Sequence, residues 1–60
     1  MYQVGDILKS KWQDWEIYVV LDTKSKKGGY SFTTYELFCP QRNKCFYPVE
    51  RIVLREYEKV

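Results

Sequence analysis

Apolar and polar positions along the chain fall into five short extended runs divided by turn signals, and helix has little support. Residues 2–9 form the first run, in which Val4 precedes a Gly5-Asp6 bend and Ile7-Leu8-Lys9 leads into a strand. Residues 10–15, Ser-Lys-Trp-Gln-Asp-Trp, read as a polar loop carrying two tryptophans. From Glu16 to Asp22 the residues Ile17, Tyr18, Val19, Val20 and Leu21 are β-branched, aromatic or aliphatic. That run is too short for a typical helix and predicts a strand.

Lys24-Ser25-Lys26-Lys27-Gly28-Gly29 is the clearest turn, because two glycines supply positive φ at little steric cost. Tyr30 to Cys39 alternates as a strand. Thr33, Tyr35, Leu37 and Cys39 share the face expected in the core, since the opposite face of Phe32, Thr34, Glu36 and Phe38 carries the charge. Pro40-Gln41-Arg42-Asn43 predicts a second hairpin turn, and Lys44 to Tyr47 pairs back. Pro48 ends that strand for want of an N–H. Val49-Glu50-Arg51 fits one turn of 3₁₀ helix before a last strand from Ile52, with Ile52 and Leu54 inward and Val53 and Arg55 outward. Glu56 to Val60 reads as a polar, frayed extension. The whole is expected to be one all-β domain over residues 1–60, a small five-stranded barrel.

Sixty residues leave room for one core and no second domain. So short a chain needs dense packing, a disulfide, a metal or a partner to stay folded. Aromatic packing is the visible means, with Phe, Trp and Tyr at 18% of residues. A net charge of +2 permits nucleic acid as a ligand without arguing for it. No run of 18 apolar residues exists to span a membrane, and Met1-Tyr2-Gln3-Val4-Gly5-Asp6 lacks the layout of a secretory signal, so a cytoplasmic place is expected.

Val4-Gly5-Asp6-Ile7-Leu8 at the start and Phe46-Tyr47-Pro48-Val49-Glu50-Arg51-Ile52-Val53-Leu54 at the end bracket the strands in a layout that resembles SH3-like barrels. It is most similar to the small SH3-like or Tudor/KOW-like proteins common in bacteriophage and bacterial genomes. The resemblance implies a closed barrel and, for a phage protein, the host cytoplasm. It implies no single role, since this scaffold hosts unrelated functions.

Catalysis is not expected. With no histidine the commonest general base is missing, and Asp6, Asp14, Glu16 and Asp22 lie at turns and strand ends suited to solvated positions. Two cysteines without histidine are too few for a zinc site, so neither metal nor cofactor is expected. Cys39 and Cys45 flank the second hairpin turn, within reach of each other if they stand opposite across the ladder; the favoured reading is two reduced, partly buried thiols.

Three functional readings follow. The leading one is a protein-docking module, with Trp12, Trp15, Tyr18, Tyr30, Phe32 and Phe38 as the contact set beside a strand edge. Within that set Trp15 also fits a plug for the barrel's open end, and self-association is a variant of the same idea. The second is nucleic-acid binding through Lys9, Lys11, Lys24, Lys26, Lys27, Arg42 and Lys44, interleaved with aromatics if the hairpin tips converge. The third is a structural component of a larger assembly.

Overall fold

The computed structural model of the chain describes residues 2–13, 15–26 and 32–60. Along it run β1 (Ile7–Ser10), β2 (Ile17–Lys26), β3 (Phe32–Cys39), β4 (Lys44–Phe46), α1 (Glu50–Glu56) and β5 (Tyr57–Lys59). The five strands make one antiparallel sheet in the order β4-β3-β2-β1-β5. Asp14, Lys27 and Tyr30 lie outside the described residues, and Lys26 is described by its backbone alone.

Gly5 makes the expected bend at a φ of 94°, where a side chain would be strained. It also hands the chain to the sheet, donating its N–H to the Val20 carbonyl at 2.8 Å. Pairing then sets Ile7, Leu8 and Lys9 against Val19, Tyr18 and Ile17. At the other hairpin Asn43 takes the left-handed conformation at a φ of 50°, as its short polar side chain allows.

β2 is longer than the predicted run and reaches Lys26, three residues into what reads as a turn in the sequence. The reason lies in a β-bulge between Val20 and Asp22. In an unbroken ladder the register Val20↔Leu37 would pair Leu21 with Glu36 and set Asp22 opposite Tyr35, on the core face. With the bulge, Asp22 pairs with Glu36 on the outer face and Thr23 pairs with Tyr35. Beyond β1 and β4 the two strands continue as a two-stranded ribbon, in which the Ser25 and Thr33 hydroxyls meet at 3.1 Å.

The core is a cluster of Leu8, Tyr18, Val20, Tyr35, Leu37, Cys39 and Val53, with Tyr2, Phe46 and Tyr57 packed against it. Aromatic rings do much of the filling: Tyr18 meets Tyr57 edge-on at 4.9 Å and Phe46 at 6.0 Å. The Tyr35 hydroxyl accepts from the Tyr2 N–H at 3.1 Å and donates to Glu50 at 2.9 Å, joining the N-terminal segment to the helix. Tyr35, Leu37 and Cys39 are buried as the alternation predicts, whereas Thr33, out on the ribbon, is only half-buried.

Residues 50–56 overturn the expected 3₁₀ turn and last strand from Ile52. Glu50, Arg51, Leu54, Arg55 and Glu56 are good helix formers, with the acid in the first turn and Arg55 in the last, as the helix dipole favours. The helical period exchanges two of the predicted faces, since Val53 is fully buried and Leu54 is 44% exposed, while Arg55 is exposed as predicted. The strand comes later, in the residues expected to fray, where Tyr57, Glu58 and Lys59 pair with Ser10, Lys9 and Leu8.

Two further expectations change. The sheet is not a closed barrel: β4 and β5 are its two edges, and the order of strands leaves them apart. Cys39 pairs with Lys44, and Cys45 with Phe38. By strand alternation the two thiols therefore lie on opposite faces of the ladder, Cys39 in the core, and both are free.

Candidate interaction site

Successive antiparallel hairpins put their connections at alternate ends of a sheet. The loop between β1 and β2 and the turn between β3 and β4 therefore share one end, and the ribbon tip lies at the other. This divides the predicted contact set. Trp12 and Trp15 stand together on the first loop, Phe32 sits on the ribbon, and Phe38 lies in mid-sheet on the outer face. Tyr18, expected to face outward, is buried, because its pairing with Leu8 sets it on the core side. Trp15 does not plug the fold: it is 64% exposed, and Trp12 is 76% exposed.

Among the described residues the cations divide likewise and do not converge. Lys11, Arg42 and Lys44 belong to the loop end, Lys24 and Lys26 to the ribbon. Among the described residues, Lys9 lies 3.7 Å from Glu58, and Arg42 pairs with Glu16.

Glu16 is the residue that the sequence reading misplaced. It is fully buried instead of solvated, and it holds the loop end together. One carboxylate oxygen accepts from the Arg42 guanidinium and the other from the Tyr18 hydroxyl at 3.0 Å. Next to it, the Ile17 N–H donates to the Gln41 side-chain oxygen at 3.2 Å. The bond from Arg42 keeps the Glu16 carboxyl below the usual carboxylate range, against the burial that pushes it up. Burial, then the bond to Glu16, pushes the Tyr18 phenol well above its ordinary value. No signal in the sequence separates Glu16 from its solvated neighbours, since its partner lies 26 residues away.

The outcome is a loop bearing two exposed indoles, stapled at its C-terminal foot to the neighbouring turn. At its N-terminal foot the Lys11 N–H donates to the Glu56 carbonyl at 2.9 Å, and the Trp12 N–H to Ser10 Oγ at 3.1 Å. The turn beside it leads into the edge strand β4.

Among the described residues little else invites chemistry. A depression of about 40 Å³ lined by Asp22, Lys24, Thr34, Tyr35, Glu36 and Tyr47 holds little more than one water molecule. Among the described residues no group of three or more carboxylates or cysteines is placed to hold a metal, and no helix is long and apolar enough to cross a membrane. No protein-family model matches the chain, and neither a curated protein nor a solved structure matches it.

Proposed function

We propose that this chain is a small, non-enzymatic, SH3-like interaction module that docks on a protein partner through Trp12 and Trp15, with the β4 edge alongside. The observation that carries the reading is the exposure of both indoles on a loop pinned at each foot. A chain that fills its core with aromatic rings has a use for tryptophan inside, yet these two are outside. Tryptophan is the side chain most enriched where binding energy concentrates, and a braced loop loses little entropy on docking. Lys11 and Lys44 at the same end favour a partner whose contact surface is apolar with an acidic rim.

The test is affinity purification of the tagged chain from its native cell, with nuclease treatment, run beside Trp12→Ala/Trp15→Ala. A protein retained by the wild type through nuclease and lost by the variant supports the reading. Retention that ignores the substitution counts against it.

The ribbon favours a second reading. A two-stranded β-ribbon fits the major groove of DNA, and this one carries Lys24 and Lys26 beyond the body of the sheet. Oligonucleotide binding that weakens steeply with salt, with a slope about one unit shallower in Lys24→Gln, would favour it over protein docking.

A further inference from the structure

Val60, Ile7, Val19, Phe38 and Cys45 stand directly opposite one another, one on each strand or its immediate end, in a single row across the whole sheet. The registers Ile7↔Val19, Val19↔Phe38 and Phe38↔Cys45 define most of it. The Val60 N–H, donating to the Ile7 carbonyl at 2.9 Å, completes it. Leu8, Val20 and Leu37, one residue along, are buried in the core, so the row lies on the opposite face. An antiparallel sheet with one covered face ordinarily carries polar residues on the other. Here five apolar positions cross it unbroken; Ile7 is 43% exposed, and Ile17 and Leu21 border the row.

We propose that this outer face is the contact between two copies of the chain, packed sheet against sheet about a two-fold axis near Val19 on the central strand. The charges beside the row select the occupant. Lys9 and Glu58 flank it on one side, and Asp22 and Glu36, with Lys24 beyond, on the other. A phosphate backbone or a strongly acidic peptide meets no matching excess there. An identical face turned end for end sets the Lys9–Glu58 pair of each copy toward the Asp22, Glu36 and Lys24 side of the other, so both signs meet both signs and neither charge excess opposes the contact. The fold also gains from it, since a core of this size leaves a 60-residue chain marginal and dimerisation stabilises by mass action.

The face measures about 19 Å across five strands and about 14 Å along them. That is on the order of 300 Å² in projection, against roughly 800 Å² per partner in a standard interface, so the dimer is weak and reversible. The contact is independent of the tryptophan loop.

Sedimentation equilibrium of the full chain from about 5 μM to about 1 mM is expected to show the mass rise from 7.3 kDa toward twice that value. Phe38→Glu and, separately, Ile7→Lys are expected to weaken association at least about tenfold with an unchanged circular dichroism spectrum. Ile7 is already exposed, so its replacement keeps the test valid if Phe38→Glu fails to fold. Trp12→Ala/Trp15→Ala is expected to dimerise as the wild type does. A one-chain mass at every concentration, a dimer that survives both outer-face substitutions, or one abolished by the tryptophan pair overturns the proposal.

Discussion

Arg42, on the turn between β3 and β4, reaches the fully buried carboxylate of Glu16 at the foot of the tryptophan loop. The pair ties together two connections that are far apart in sequence and adjacent in space. Tyr18 satisfies the second carboxylate oxygen, so the group is left with a donor on each side.

Removing one member of that pair is therefore worse than removing both. Arg42→Ala leaves Glu16 buried with half its partners, whereas Arg42→Ala combined with Glu16→Gln leaves a neutral amide. A double-mutant cycle by urea denaturation is expected to show this non-additivity. The pH dependence has the same origin. The folded Glu16 carboxyl titrates below its unfolded value, so its contribution is complete above the unfolded value of about 4.3 and is lost as pH falls through the lower folded value. Wild-type stability is expected to drop over that acid window, and Glu16→Gln to flatten this part of the profile.

The helix makes a prediction opposite to that of a last strand. Val53→Ala is expected to cost about 2 kcal/mol, by emptying a fully buried site between α1 and the sheet. Leu54→Ala, on the outer side, is expected to stay within about 0.5 kcal/mol of wild type. Thermal denaturation of the two variants decides between the periods, since an inward Leu54 would reverse the order.

Three tyrosines carry an alkaline limit. Burial, foremost for each, raises the phenols of Tyr18, Tyr35 and Tyr57 above their ordinary value. The unfolded chain loses those protons first, near pH 10, so their contribution is whole below that pH and fades as pH rises through the folded values. Tyrosinate absorbance from Tyr18, Tyr35 and Tyr57 is expected to appear only above their ordinary range, together with loss of the folded circular dichroism signal. A single smooth titration with the fold intact would contradict this.

Strands β1 to β4 of this protein were legible because each depends on residues adjacent in sequence. Alternation from Phe32 to Cys39 named the inward face, Gly5-Asp6 and Pro40 to Asn43 marked the bends, and the tryptophan loop stood out by composition. Ile52-Val53-Leu54 was not legible, because three consecutive apolar residues satisfy either period; burial of Val53 against the sheet chose the helix. Nor was the β2 bulge, which exists to turn Asp22 away from a core that only the partner strand β3 creates. Glu16 is the sharpest case. Its sequence neighbourhood is that of a solvated strand end, and only the approach of Arg42 from 26 residues away makes a buried carboxylate tolerable there. Local chemistry thus determined where this chain extends and turns. Which charges go inside, which ends of the hairpins meet and which apolar row remains on the surface were decided by strand pairing, because those depend on partners distant along the chain.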